Sequence, residues 1–323
     1  MRVPHSASLG LFVVCAAGGC ASIAGIEDLA LTGAPPDAST GDAADDTGAG
    51  DVSARPDSPL ADAPADSRAD SSVGAPDGAA ADSATPPIDA TEAGITYEEE
   101  VLSDHPLAYW RFGETSGTTA VDSSGNGHDG TYVGGVTLGA PGAIANDPDT
   151  SVSFDGATAW MNAGDIFQFA GTVPCSFEAW VNPTIDANYH EVLSRSDGQG
   201  PTTVGTLMYV EPTGSAFADF AHRQDTASDI ASSSAPVTAG AFTHLVGVYD
   251  GSNVLLYVNG ALAGQKPTTL ATPAATNPFV VGAQSAGLSC WFDGPIDEVA
   301  VYGAALPAAR IAAHYKVGTG QTP

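Results

Sequence analysis

Basic residues are scarce in this 323-residue chain, in which nine Lys and Arg stand against 38 Asp and Glu, for a formal net charge of −29. Nucleic-acid binding requires basic side chains that neutralise phosphates, and attraction to an anionic membrane surface requires the same. The charge balance therefore argues against both kinds of partner. An excess of negative charge instead favours solubility and attracts divalent cations.

A long apolar run is also missing from the start of the chain. The apolar run at residues 9–17 has about half of the roughly 20 residues that a membrane-spanning helix needs. Arg2 precedes this run and small residues follow it up to Cys20. This order is typical of a secretory signal peptide, which we assign to residues 1–19.

The four residues 17–20, Ala-Gly-Gly-Cys, resemble the lipobox of bacterial lipoproteins, although Ala17 stands where Leu is usual. The resemblance implies that diacylglycerol is attached to Cys20 and that membrane contact occurs through this anchor only. Ala21, rather than Asp, follows the cysteine, which by the same resemblance implies an outer-membrane lipoprotein or a cell-surface location. Ordinary secretion is the alternative.

Only four cysteines are present. Cys15 would leave with the signal peptide and Cys20 would carry lipid, so Cys175 and Cys290 remain in an oxidising compartment. Two cysteines in one exported domain favour a disulfide, and we predict a bridge between Cys175 and Cys290. Two buried thiols that act as small hydrophobes are the alternative.

Residues 20–96 contain almost no aromatic residues and are rich in Ala, Asp, Pro, Ser, Thr and Gly. Such a segment cannot bury enough apolar surface to offset its loss of conformational entropy, and its like charges keep it extended. We interpret residues 20–96 as a disordered acidic tether.

The composition changes at Tyr97, where aromatic and β-branched runs begin to alternate with Gly, Asn, Asp and Pro. Many short strands with frequent turns predict a sandwich or barrel. One helix is predicted at residues 307–315, and residues 319–323 are predicted to be a disordered tail. Candidate strands are residues 108–112, 152–154, 160–162, 176–181, 190–194, 206–210, 216–221, 244–249, 253–258, 279–282 and 294–302.

Several motifs in residues 97–318 occur in a characteristic order. They are AYWRF at 108–112, DSSGNGHDG at 122–130, VSFDG at 152–156, SFEAWV at 176–181, FTHLVGVYDG at 242–251, LYVNG at 256–260 and FDGPIDEVAVY at 292–302. The order resembles the laminin-G-like jelly-roll family of the concanavalin A-like lectin/glucanase superfamily. Thr243 and Pro295 depart from the usual pattern. The resemblance implies an all-β, two-sheet antiparallel jelly-roll sandwich over residues 97–318.

The loop at residues 122–130 is the candidate metal site. It places acidic and amide side chains around two glycines. Calcium takes six to eight oxygen ligands, and the oxygens of these side chains are suitable ones. The family resemblance implies a structural calcium ion held by Asp122 and Asn126, with Asp297 as a third ligand. The alternative is that these side chains cap their own turns.

The sequence lacks the carboxylate string Glu-x-Asp-x-x-Glu of the glucanase branch. Asp297 and Glu298 are adjacent, so strand alternation points them to opposite faces, whereas glycosidases need two carboxyls that flank one bond. It also lacks a nucleophile elbow and a zinc-binding His-Glu-x-x-His. We therefore predict that the protein is not an enzyme.

Two functional hypotheses remain. The first is a non-catalytic, surface-exposed module that binds carbohydrate or a glycoconjugate, with Trp160 and Trp291 as the candidate ligand-contacting rings, joined by Tyr189 and Arg195 on a connecting loop. The second is a structural or adhesion module that binds an envelope or extracellular protein. Fold alone does not choose between them.

Overall fold

The computed structural model describes residues 94–198, 202–224, 227–271 and 274–323. The predicted signal peptide, the lipid attachment at Cys20 and the tether up to residue 93 lie outside these ranges, so they stay predictions. Within the described residues, no helix has the length and apolar character needed to cross a membrane.

The described elements are two helices and sixteen strands. The helices are α1 (Tyr97–Leu102) and α2 (Ala308–Gly318). The strands are β1 (Ala108–Trp110), β2 (Thr119–Ala120), β3 (Gly130–Val133), β4 (Thr137–Pro141), β5 (Thr150–Asp155), β6 (Trp160–Gly164), β7 (Cys175–Val181), β8 (His190–Asp197), β9 (Val204–Val210), β10 (Ala218–Gln224), β11 (Ala227–Ser232), β12 (Thr243–Tyr249), β13 (Asn253–Val258), β14 (Ala261–Pro267), β15 (Phe279–Val281) and β16 (Asp293–Tyr302).

These strands form two antiparallel sheets of eight strands each. Sheet A has the order β14-β13-β12-β7-β16-β5-β4, and β1 also pairs with β16. Sheet B has the order β11-β10-β9-β8-β15-β6-β3-β2. The predicted two-sheet jelly-roll sandwich is thereby confirmed.

The core lies between the two sheets, and β7 shows how the sequence builds it. Phe177, Ala179 and Val181 alternate along β7 and lie in the main core cluster. Glu178 and Trp180 point to the opposite side of sheet A, yet both are also buried. The alternation along β7 therefore correctly predicts which side chains face the core and which face outward. Because the outward side chains are also buried, other elements must cover the outer face of sheet A.

The two helices provide that cover. Tyr97 of α1 and Ile311 and Val317 of α2 pack with Trp180 in a second cluster on the outer face of sheet A. Helix α2 matches the predicted helix but extends to Gly318, and Pro307 is its N-cap residue. Helix α1 was not predicted.

The signal for α1 is present in the sequence as a capping box. Thr96, which the tether prediction included, accepts a hydrogen bond from Glu99 N, and the Glu99 side chain accepts one from Thr96 N. Thr-x-x-Glu before an apolar pair is the pattern of a helix start. The acidic run at residues 98–100 therefore belongs to a helix turn.

The strands that were not predicted lie at or beside the sheet edges. β14 and β4 end sheet A, and β11 and β2 end sheet B. β14 is largely exposed along its length, and β4 contains Gly139 and ends in Pro141. Edge strands bury little surface and tolerate such residues, so their sequences lack the apolar alternation of central strands.

The predicted disulfide is wrong, because Cys175 is a free thiol. Cys175 faces the core between the sheets. Cys290 lies in the segment between β15 and β16, where its sulfur is 3.4 Å from Gln284 Oε1. Burial raises the pKa of the Cys175 thiol well above its ordinary value, which fits the alternative of a thiol that packs as a small hydrophobe.

One buried carboxylate organises the outer face of sheet A. Glu178 is fully buried and accepts hydrogen bonds from Tyr97 Oη at 2.9 Å and Tyr302 Oη at 2.6 Å. Its oxygens also lie 2.7 Å from His244 Nε2 and 3.0 Å from His314 Nδ1. We call these five residues the Glu178 cluster. It joins α1, α2, β7, β12 and β16 at one point.

The charges of the cluster support one another. Burial disfavours the ionised form of Glu178, but the charge of His314 and the hydrogen bonds from both histidines hold its pKa well below the usual range. Burial likewise opposes the charge of His314, yet Glu178 and Asp104 raise the pKa of this histidine. His314 Nε2 lies 2.8 Å from Asp104 Oδ2. A buried ion pair with this many partners is costly to break.

We predict that His314→Gln lowers the free energy of unfolding by about 2–4 kcal/mol at pH 6, because the variant leaves Glu178 with one fewer charged partner. The folded-state pKa of His314 is raised, so its contribution is fully present below the unfolded value of about 6.5. It is lost as the pH rises through the folded pKa. Urea unfolding from pH 5.5 to 9 measures the difference between the two proteins.

The difference between wild type and His314→Gln should therefore shrink above pH 6.5. The control is His105→Gln, since His105 is exposed and its substitution should leave the stability within about 0.5 kcal/mol at each pH. A difference for His314→Gln that stays constant over this range would contradict the charge coupling.

Candidate functional site

The outer face of sheet B differs from that of sheet A, because no described helix lies over it. Antiparallel register makes Glu191 of β8 a direct neighbour of Tyr209 on β9, and Tyr209 a direct neighbour of Asp219 on β10. Val210 and Met208, which flank Tyr209, lie in the main core. Alternation therefore places all three side chains of this row on the outer face.

Two further side chains complete the group. The Tyr189 ring packs edge-on against the Tyr209 ring, with centroids 5.8 Å apart. The Arg223 guanidinium carbon lies 5.8 Å from the Tyr209 ring centroid, and Nη2 donates a hydrogen bond of 3.3 Å to Tyr209 Oη. We call Tyr189, Glu191, Tyr209, Asp219 and Arg223 the Tyr209 cluster.

The polar atoms of this cluster are incompletely paired. Among the described residues, Glu191 Oε1, Asp219 Oδ1 and Arg223 Nε have no hydrogen-bond partner. Two of these atoms are acceptors, and the third is a donor. Glu191, Tyr209 and Asp219 are each at most 5% exposed, and native proteins pair most such buried groups. The three unpaired atoms therefore mark this cluster as a candidate site for a molecule that carries both donors and acceptors.

The electrostatic environment alters both carboxyl groups. Burial raises the pKa of Glu191 well above its usual range, and the charge of Arg223 opposes this only in part. Burial also raises the pKa of Asp219 to about 7, with a hydrogen bond from Ser232 opposing the shift and the charge of Glu211 adding to it. Near neutral pH, Asp219 can therefore act as a donor or as an acceptor.

The predicted ligand-contacting tryptophans are not members of this cluster. Trp160 is on β6, two strands from β8, and its ring lies against Gly287. Trp291 immediately precedes the core residue Phe292, and its carbonyl oxygen is 3.1 Å from His190 Nδ1. In the part of the chain that the structure describes, neither ring makes a ring contact with Tyr209.

Tyr189 and Arg195, the other two predicted ligand contacts, lie on different faces of sheet B. Tyr189 belongs to the Tyr209 cluster. The prediction that Arg195 lies on a connecting loop is wrong. Strand β8 continues to Asp197, and Arg195 pairs with Thr206 of β9. Strand alternation places its side chain on the inner face of sheet B.

The structure gives the predicted metal ligands other partners. Asp122 accepts hydrogen bonds from the backbone N–H groups of Tyr109, Ser124 and His128 at 2.9–3.0 Å. Asn126 Nδ2 donates to the carbonyl oxygen of Pro106 at 3.0 Å. Both residues thus fasten the loop at 122–130 to the segment around β1.

Asp297 does not join them. It lies on β16, where Oδ2 accepts a hydrogen bond from Ala143 N at 2.8 Å and Oδ1 accepts one from Glu298 N at 3.0 Å. Across the described ranges, no group of three or more His, Cys, Asp or Glu side chains is arranged to hold a metal ion. Calcium binding by Asp122, Asn126 and Asp297 stays a prediction.

The comparisons with known proteins concern the whole sandwich. Residues 155–312 match a laminin G family model described as the concanavalin A-like lectin/glucanases superfamily. The chain matches none of the curated proteins. The predicted family resemblance is confirmed over the matched residues.

Two binding domains of solved structure have a similar fold, each with 12% identity and a TM-score of 0.50. They are the binding domain of Paraclostridial Mosquitocidal Protein 1 and that of a botulinum neurotoxin of serotype D/C. The matches cover 67% and 66% of this chain, but 52% of each of the other chains. This chain thus spans about half the length of those domains, and at this identity the likeness shows the fold alone.

Domain 4 of AbnA, a GH43 extracellular arabinanase from Geobacillus stearothermophilus, was solved in complex with arabinotriose. It is 20% identical to this chain, and the match covers 65% of this chain and 98% of that domain, with a TM-score of 0.44. This similarity is too low to carry an argument about a binding site.

We predict that Asp122→Ala lowers the free energy of unfolding by about 2–4 kcal/mol, since three backbone N–H groups lose their acceptor. Asp129→Ala is the matched control, because Asp129 accepts one backbone hydrogen bond, from Asp122 N, and its loss should cost about 1 kcal/mol. Denaturant unfolding measures both. Equal effects of the two variants would contradict the role of Asp122 as the main fastening of this loop.

Proposed function

We propose that the sandwich, whose residues 155–312 match the concanavalin A-like lectin/glucanases family model, is a non-catalytic module that binds carbohydrate on the outer face of sheet B. The observation that carries the proposal is the Tyr209 cluster. It combines aromatic rings with two buried carboxyl oxygens and one buried guanidinium nitrogen that have no hydrogen-bond partner among the described residues.

A sugar ring matches this set of groups. Its hydroxyl groups donate to the oxygens of Glu191 and Asp219 and accept from Arg223 Nε, and its C–H face packs on an aromatic ring. Ligand sites in proteins commonly combine apolar or aromatic surface with a few convergent polar groups. A neutral sugar also suits the acidic character of the chain, since it experiences no repulsion from the surrounding negative charge.

The arrangement of the carboxylates supports binding rather than hydrolysis. Glu191 and Asp219 lie on strands that are separated by β9, so their backbones are about 9–10 Å apart. The Tyr209 side chain occupies the position between them in the same row. A glycosidase needs a scissile bond between its two carboxyls, and this ring stands where that bond would have to lie.

We predict that Arg223→Gln weakens binding of a glycan ligand by about 10- to 100-fold. Loss of a hydrogen bond to a charged group costs about 1.5–3 kcal/mol, and 1.4 kcal/mol corresponds to a tenfold change in Kd. A glycan array with the purified protein identifies the ligand, and isothermal titration calorimetry compares the variants. Lys266→Gln is the matched control, because Lys266 is exposed on β14 of the other sheet.

Several results would contradict this proposal. Equal affinities of wild type and Arg223→Gln would move the site away from the Tyr209 cluster. Failure on a broad array, together with recovery of one defined envelope protein, would favour the adhesion hypothesis. Turnover of a bound oligosaccharide would overturn the non-catalytic assignment.

Calcium stabilisation is a separate part of the proposal. Its support is the loop at residues 122–130, which contains the predicted ligands Asp122 and Asn126, with Asp297 as the predicted third ligand. The glycan array is repeated, and thermal unfolding is measured, with calcium and with a chelator. A calcium-dependent rise in Tm that Asp122→Asn abolishes supports the site, and an unchanged Tm argues against it.

We also propose that the module is lipid-anchored at the outer membrane or cell surface through Cys20. The support is the short apolar run and the lipobox-like residues 17–20. In a detergent phase-separation experiment, the wild-type protein should enter the detergent phase and Cys20→Ala should stay in the aqueous phase. Equal partitioning of the two would exclude lipidation at this cysteine.

A further inference from the structure

Arg195 is a buried cation at one end of the sandwich. It lies on β8 opposite Thr206 of β9, two residues along β9 from the core residue Met208, so its side chain enters the space between the sheets. It is only 4% exposed. Burial of a guanidinium group in this way is unfavourable unless its donors find acceptors.

Only part of that requirement is met. Arg195 Nη2 donates to the carbonyl oxygen of Ala275 at 3.0 Å and to Asp165 Oδ1 at 2.5 Å. Arg195 Nε and Nη1 have no hydrogen-bond partner among the described residues. Two of the three nitrogens of a buried cation therefore present free donors.

Arg195 also lines a small cavity. Its volume is about 10 Å³, which is room for the centre of about one water-sized atom. Its walls are largely apolar and backbone surface, so the guanidinium of Arg195 is the charged group in its lining. The lining residues are Phe167, Gln168, Phe169, Ala170, Arg195, Gly205, Thr206, Ala274 and Ala275.

Asp165, the carboxylate that accepts a hydrogen bond from Arg195, is at the surface, and Asp197 adds a second negative charge nearby. The Asp165 side chain is 78% exposed, so its carboxylate can move into solvent at little cost. Burial lowers the pKa of Arg195, and the negative charge of Asp165 opposes that effect. A second negatively charged oxygen at the free nitrogens would offset the remaining cost of burial.

We propose that Arg195 and this cavity form an anion subsite that takes one carboxylate group, with one oxygen in the cavity and the rest of the group at its mouth. Arginine is well suited to carboxylates because its donors are planar and fixed. The acidic chain repels polyanions, so the subsite selects a single carboxylate. It is separate from the Tyr209 cluster, because Arg195 faces the inside of sheet B and that cluster faces the outside.

Sodium formate is the probe, used with the full-length protein. Thermal unfolding is measured at increasing formate and constant ionic strength, with sodium chloride as the balancing salt. We expect a saturable rise in Tm for the wild type, since a ligand that binds the folded state stabilises it by mass action. We expect no such rise for Arg195→Gln, and Lys316→Gln, which removes an exposed charge on α2, should behave like the wild type.

Asp165→Asn provides a test that does not depend on whether Arg195→Gln folds. Removal of the Asp165 charge, which repels a second carboxylate beside Arg195, should lower the formate concentration at half-saturation by about threefold or more. Absence of a formate response in both wild type and Asp165→Asn would show that the cavity holds water only and would overturn the proposal. An equal response in Arg195→Gln would overturn it as well, because the effect would then be a general salt effect.

A second arm distinguishes the sources of the carboxylate. Sodium glucuronate replaces formate in the same series. A saturable response that requires Arg195 supports a sugar acid as ligand, whereas a response to formate alone supports a small free carboxylate. The glycan experiment with Arg223→Gln tests a different site, so failure of one proposal leaves the other standing.

Discussion

The buried carboxylate of Glu178 is the constraint on which the arrangement of this domain depends. A charge at that depth is tolerated only with partners, and its partners come from α1, α2, β12 and β16. The first and last described helices are therefore both drawn to the outer face of sheet A. Once Glu178 is placed there, that face must be covered, and little of it is left for a ligand.

The outer face of sheet B shows the opposite pattern. Its carboxylates and arginine extend from neighbouring strands, yet among the described residues several of their atoms have no partner. One face of the sandwich uses its polar groups to hold the helices, whereas the other has buried polar atoms that are unpaired among the described residues. Arg195 extends this reasoning to the interior, where an incompletely paired cation adjoins a cavity.

The sequence best predicts the fold in buried strands, where apolar side chains alternate with outward-facing ones. Along β7, the alternation of Phe177 and Ala179 with Glu178 and Trp180 predicts both covered faces, and the ordered motifs predict the sandwich. The capping box of Thr96 and Glu99 is a sequence signal for α1. The Tyr209 cluster was not predictable in this way, because it depends on the register between β8, β9 and β10, which no single strand encodes. The predicted bridge between Cys175 and Cys290 is wrong for a different reason: alternation along β7 places Cys175 in the core beside Phe177, but spacing along the chain does not show where Cys290 lies.

The contact between the two helices has a consequence for how this domain can be joined to other proteins. Arg310 of α2 binds Asp104 and the carbonyl oxygen of Glu100, so the beginning and the end of the fold are neighbours on the sheet A side. Domains whose ends lie close together tolerate insertion into a host protein and circular permutation. The sandwich is thus suited to insertion into a host protein. A linker or fusion partner attached at either end of the fold would lie on the sheet A side and would not cover the outer face of sheet B.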